Sequence, residues 1–130
     1  MSNLAFERDS PRSGRAPQFY VGRIEIMTAV AIQIESFIDE HQPGFVECHL
    51  VDAQDQLHIF IEKVPVVSSK DLWSNSTYPQ PGSIDCEVEA EWVDNQGRSL
   101  VKVNTCRPWS VESTAGDTCF IVLTSQVIRS

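Results

Sequence analysis

Across residues 23–39 apolar and polar positions alternate. Ile24, Ile26, Val30, Ile32, Ile34 and Ile38 share one parity, while Arg23, Glu25, Gln33, Glu35 and Asp39 take the other. A period of two sustained this long predicts a half-buried strand, or two collinear strands bent near Thr28 and Ala29; the β-branched content disfavours a helix. Pro43 and Gly44 predict the turn that ends it. Phe45–Val51 and residues 57–64 predict the next two strands, antiparallel because only Asp52, Ala53, Gln54, Asp55 and Gln56 join them. Val46, Cys48 and Leu50 are expected inward on one, and Leu57, Ile59 and Ile61 on the other. Pro65 has no amide proton and ends the ladder. Residues 68–73 predict one helical turn capped by Ser68 or Ser69, followed by a loop in which Tyr78-Pro79-Gln80-Pro81-Gly82 extends and then turns.

A further hairpin is expected from Ile84, Cys86, Val88, Ala90 and Trp92 alternating with Asp85, Glu87, Glu89 and Glu91. Its turn is Asp94-Asn95-Gln96-Gly97, and Val101, Val103 and Thr105 face inward on the return. Residues 118–124 predict a last strand, buried on both faces because Cys119, Phe120, Ile121, Val122 and Leu123 are consecutive. The expectation is an all-β chain: a small six-stranded antiparallel, partly open barrel, OB-like or SH3-like, with one short helical turn, or else a small sandwich. Leu100 and Phe60 fall on nominally wet faces and mark a candidate self-association patch.

The chain has 130 residues, which suits one domain at residues 18–130 preceded by a flexible arm at residues 1–17. Its 10 Lys and Arg against 18 Asp and Glu give a net charge of −8. Through Arg23 the charge is +2, leaving −10 for the remainder. Such a field opposes a phosphate backbone, so no nucleic acid is expected as a partner. No apolar run approaches the roughly 18 residues a membrane helix needs, and no signal-like stretch opens the chain, so a cytoplasmic protein without membrane contact is expected. Cys48, Cys86, Cys106 and Cys119 form no C-x-x-C pair and are expected as thiols in that compartment.

Candidate chemistry is sparse. Asp85, Glu87, Glu89 and Glu91 would place carboxylates about 6.8 Å apart along one strand face. Across the hairpin, Glu91 would meet Arg98 and Glu87 would meet Lys102, or, after a shift of two, Glu89 would meet Lys102. Trp73, Tyr78, Arg107 and Trp109 sit in irregular segments and are residue types that anchor interfaces. If Cys48 pairs with Ile59 and Leu50 with Leu57, His49 and His58 face each other on the outer side with Glu47 nearby, a weak candidate metal set. Cys48 and His49 point to opposite faces and form no catalytic dyad. No nucleophile elbow, phosphate loop or metal-ligand quartet is present, so neither catalytic residues nor a cofactor are assigned.

Glu62-Lys63-Val64-Pro65-Val66-Val67, Tyr78-Pro79-Gln80-Pro81-Gly82 and Arg107-Pro108-Trp109 look like segments of short uncharacterised bacterial β-rich proteins. The resemblance spans residues 45–123 and carries no activity with it. The leading expectation is a non-enzymatic protein-binding module, acidic and of the immunity or inhibitory type, engaging a basic protein partner. A small-ligand or oligosaccharide-binding barrel using Trp73, Tyr78, Arg107 and Trp109 is one alternative. A metal-dependent hydrolase using His49, His58 and Glu47 is the other.

Overall fold

A computed structural model describes residues 28–39 and 44–129. The expected arm at residues 1–17, the early alternation at Ile24 and Ile26, and Pro43 lie outside the described residues. Eight strands appear among the described residues: β1 (Thr28–Asp39), β2 (Phe45–Val51), β3 (Leu57–Lys63), β4 (Gln80–Asp85), β5 (Glu87–Val93), β6 (Ser99–Asn104), β7 (Cys119–Leu123) and β8 (Val127–Arg129). A short helix, α1 (Val64–Val67), follows β3, and a 3-10 turn (Thr124–Gln126) precedes β8. The chain is thus all-β, with two more strands than the alternation alone predicts.

The strands form two antiparallel sheets. One runs β3-β2-β1-β4, with β8 also paired to β1; the other runs β5-β6-β7. No ladder closes them into a ring among the described residues. Both sheets share one core: Val30, Ile32, Ile34, Val46, Cys48, Leu50, Phe60 and Ile84 from the larger meet Val101, Val103, Phe120 and Val122 from the smaller. The expected strand from Ile84 to Trp92 is divided at Cys86, whose amide donates to the Thr28 carbonyl at 3.0 Å. Residues before it pair with β1 and residues after it with β6, so one run of chain serves both sheets. Among the described residues no helix is long and apolar enough to cross a membrane.

Three facing expectations are corrected, each by a register that alternation cannot report. In β1 the ladder with β2 shifts between Ile34 and Ser36 and again between Phe37 and Asp39. Such bulges rotate the strand, so Ile38 is exposed while Phe37 packs against the core. A methyl on Gly44 would overlap the Phe37 ring, which explains a glycine there. In the β2–β3 hairpin Cys48 pairs with Phe60 and Leu50 with His58, one residue from the expected register. Phe60 is therefore core, and Leu57 and Ile61 are exposed. In β7 only Phe120 and Val122 are buried, so this strand hides one face rather than two.

Leu100 is also buried, although it lies outside the main core cluster. With Phe60 buried as well, the self-association patch they were expected to mark is absent from the surface. The helical turn sits at α1 rather than at residues 68–73. Pro65 occupies its first turn, where a fixed φ favours helix and no amide is missed, and Val64 and Val67 are buried. Ser68 instead accepts the Lys70 amide on its Oγ at 3.0 Å.

The β2–β3 turn fixes the register. Asp52 donates its amide to the Gln56 carbonyl at 2.9 Å, and its Oδ1 accepts the amides of Gln54 and Gln56 at 2.8 and 3.0 Å. Its Oδ2 accepts from His58 Nε2 at 2.9 Å, and the His58 ring lies edge-on to Phe120 with centroids 4.8 Å apart. Partial burial alone would raise the Asp52 carboxyl, but the His58 bond and the two amides outweigh it and hold the group below its ordinary value. A carboxyl lowered in the native state stabilises above its unfolded value, near 3.9, and loses that contribution as pH falls through the lower native value. Asp52→Asn is therefore expected to cost about 1–2 kcal/mol at pH 7, less than the roughly 1.5–3 kcal/mol of a bond to a charged group because the Asn oxygen still accepts the turn amides, with the gap to wild type closing in acid. Urea titrations from pH 7 to pH 2 check this. The comparison is with wild type because Glu62, whose carboxyl burial raises, adds a slope of opposite sign to both proteins.

Candidate functional site

The row of four carboxylates expected on one face is dispersed. Asp85 ends β4 in the larger sheet, and its Oδ2 accepts the Trp109 indole N–H at 2.9 Å. In β5 the register with β6 shifts between Val88 and Ala90, making Glu89 the extra residue of a bulge. Glu89 accepts from Asn104 Nδ2 at 2.9 Å and lies 3.6 Å from Lys102 Nζ, the second of the two expected pairings. Past the bulge Glu91 stands opposite the core residue Val101 and meets Arg129 of β8 at 3.2 Å, joining the two sheets. Arg98, expected opposite Glu91, turns back to Asp94 at 2.9 Å and donates to the Ala53 carbonyl at 2.8 Å. Only Glu87 of the four has no polar partner among the described residues. Trp92, expected inward, is exposed opposite Leu100.

The aromatic loops do not converge either. Trp73 is exposed and accepts the Tyr78 hydroxyl on its carbonyl at 2.7 Å, near the start of β4. Trp109, exposed beside Arg107, reaches Asp85 at the other end of that strand. Five residue steps separate Gln80 from Asp85, about 17 Å at strand rise. The Trp73–Tyr78 pair and the Arg107–Trp109 turn therefore occupy opposite ends of β4.

The His49, His58 and Glu47 set is divided by the register. His49 pairs with Ile59 and stands on the outer face, whereas His58 pairs with buried Leu50 and packs on Phe120. Among the described residues no group of three or more His, Cys, Asp or Glu is placed to hold a metal. All four cysteines are free. Burial pushes the Cys48 thiol up to about 12, with Glu62 and Glu47 adding to it, and Cys86 up to about 11, with Asp85 adding; neither is a ready nucleophile.

What the fold does assemble is the outer face of the larger sheet. There His49 Nε2 donates to Glu47 Oε2 at 2.7 Å, and its Nδ1 lies 3.8 Å from Glu35 Oε2. Glu35 is the extra residue at the first β1 bulge, and Gln33 Nε2 donates to it at 2.9 Å. The cross-strand partners Val51 and Leu57, and Ile61 opposite Glu47, lie beside this polar group and are 47%, 51% and 39% exposed. A groove of about 410 Å³ opens next to them, where the β1–β2 ladder ends at Gln33 and His49 and the β1–β8 ladder begins at Val30 and Val127. Its floor and rim include Ile32, Gln33, Glu35, His49, Val51 and Gln126. Gln126 is fixed there by donating Nε2 to the Val51 carbonyl and accepting the Leu123 amide, both at 2.8 Å.

Sequence reading names His49 and Glu47 but misses Glu35, Gln33, Val51 and Gln126 as their neighbours. The outward parity of Gln33 and Glu35 was a usable signal; their adjacency to β2 and to the 3-10 turn was not. Compared with known proteins, the chain matches no family model, no curated protein and no solved structure.

Proposed function

We propose that this protein is a non-enzymatic protein-binding module whose contact surface is the outer face of the larger sheet, and whose partner is a basic segment carrying aliphatic residues. One observation carries the reading: on one face of β2 and β3 the cross-strand partners Val51 and Leu57 are exposed and, beyond half-buried Ile59, so is Ile61 opposite Glu47; Glu35 and Glu47 on this face have no Lys or Arg partner among the described residues. Exposed apolar side chains beside carboxylates that lack a Lys or Arg partner suit the core and polar rim of an interface. The net charge of −8 would speed the approach of a basic partner. An immunity-type or inhibitory role is one member of this class.

The same proposal takes the fold as a partly open barrel of the OB-like or SH3-like kind. Its support is the run of chain that leaves the larger sheet at Asp85 and enters the smaller one at Glu87. Cytoplasmic residence and kinship with short bacterial β-rich proteins belong to the proposal as well; the free thiols fit the first.

A randomised twelve-residue peptide library displayed on phage, selected on the full chain, tests the surface. Selected peptides are expected to be rich in Arg or Lys alternating with aliphatic residues. Their affinity should fall at least tenfold for the Leu57→Asp/Ile61→Asp double variant and remain unchanged for Trp109→Ala at the far end of β4. Peptides without basic enrichment, or binding the double variant equally well, would overturn the reading.

A further inference from the structure

We infer that the groove beside His49 receives the arginine side chain of the partner, which makes it the specificity pocket of the proposed surface. This rests on the protein-binding reading above and assigns one residue type to one place. The groove volume of about 410 Å³ lies in the lower part of the range of roughly 300–1,000 Å³ found for clefts that bind small molecules, so an arginine side chain fits within it. Its composition fits a long side chain with an apolar stem and a cationic head. Ala31, Ile32 and Val51 supply apolar surface, Gln33 and Glu35 supply an amide oxygen and a carboxylate at the rim, and Gln126 forms a wall fixed by its own hydrogen bonds.

Three features favour a cation, and arginine over lysine. Glu35 takes its only neutral donor, the Gln33 amide, on Oε2, the same oxygen that faces His49 at 3.8 Å, so Oε1 has no partner among the described residues. Glu47 lies on the far side of His49 at 2.7 Å, so a second carboxylate adds to the local negative potential. A planar guanidinium can engage carboxylate and amide oxygens together, whereas an ammonium presents a compact, strongly hydrated charge. Val51 belongs both to the groove lining and to the exposed aliphatic row, so an arginine seated in the groove leaves the flanking residues of its chain over Leu57 and Ile61.

The test uses Nα-acetyl-arginine amide, whose only charge is the guanidinium, titrated into the ¹⁵N-labelled full chain. Saturable amide shifts are expected at Gln33, His49, Val51 and Gln126, with a dissociation constant in the millimolar range. Nα-acetyl-citrulline amide, of the same shape without the charge, should bind at least tenfold more weakly. Glu35→Gln should weaken the arginine derivative similarly while leaving the remainder of the spectrum in place. Absence of saturable shifts, equal binding of the citrulline derivative, or shifts centred elsewhere would overturn the inference.

The two proposals fail separately. Peptides that need Leu57 and Ile61 but tolerate Glu35→Gln would remove the arginine pocket and leave the surface standing. An arginine derivative that binds the groove, with no selected peptide depending on Leu57 or Ile61, would confine recognition to a free guanidinium compound and remove the surface.

Discussion

Phe60→Ala is expected to lower the free energy of unfolding by about 3–5 kcal/mol, the usual cost of emptying a buried aromatic site. Leu57→Ala and Ile61→Ala, on the same strand, should each change it by less than about 1 kcal/mol, because an exposed side chain gains little from folding. Phe60 is fully buried and meets Phe120 edge-on with ring centroids 5.6 Å apart, so its removal takes away both apolar burial and a ring contact between the two sheets. A loss of this size is a large part of the 5–15 kcal/mol typical of a domain, so Phe60→Leu, which keeps most of the volume, is the companion variant and should cost about 1–2 kcal/mol. Urea unfolding of the four variants decides the register directly. If Ile61→Ala proved costlier than Phe60→Ala, β3 would be facing the other way, and the aliphatic row of the proposed surface would lie in the core.

That contrast also shows where alternation stops being informative. In β3 the run Leu57-His58-Ile59-Phe60-Ile61 offers three aliphatic residues on one parity and an aromatic with an imidazole on the other. Counting apolar residues favours the first set; the structure buries Phe60 and half-buries His58, leaving Leu57 and Ile61 exposed. What decides is the turn, where the Asp52 carboxylate gathers two amides and His58, pairing Val51 with Leu57 and turning Phe60 into the core with His58 half-buried on the same side. A histidine on the core side is acceptable because its ring contacts Phe120 while its nitrogen is satisfied by Asp52.

Bulges are the second source of error. Glu35 and Glu89 each sit where a register shifts, and no residue type marks such a site from sequence. One brings a carboxylate beside His49; the other breaks up the acidic row and sends Glu91 toward Arg129. Most strands were legible because a one-sided core imposes period two on them; the three-residue β8 is too short to show it, and β4 and β5 read as one run because parity continues across Cys86. The candidate site was legible only as outward-facing residues, since β1, β2 and the 3-10 turn meet through ladders whose registers lie beyond local pattern.

Gly82→Ala is expected to cost about 2–3 kcal/mol and to lower the melting temperature by roughly 10 °C or more, as seen by calorimetry. Gly82 lies in β4 opposite Ile32, and a Cβ there would come within 2.8 Å of both Ile34 Cδ1 and the Val67 carbonyl oxygen. The Ile34 side chain is fully buried among close-packed neighbours, so it has little room to yield. The Val67 oxygen is backbone, and moving it displaces α1 with its buried Val64 and Val67. Gly97 makes the instructive comparison. Its φ is +79° in the turn after β5, yet nothing lies within 4 Å of a Cβ built there. Gly97→Ala therefore meets backbone strain without collision and should cost about 1 kcal/mol, and Gly97→Asn less, because asparagine tolerates that conformation. A Gly82→Ala cost no greater than that of Gly97→Ala would mean that α1 does not press on β4, and that the helical turn closing this side of the core is placed differently.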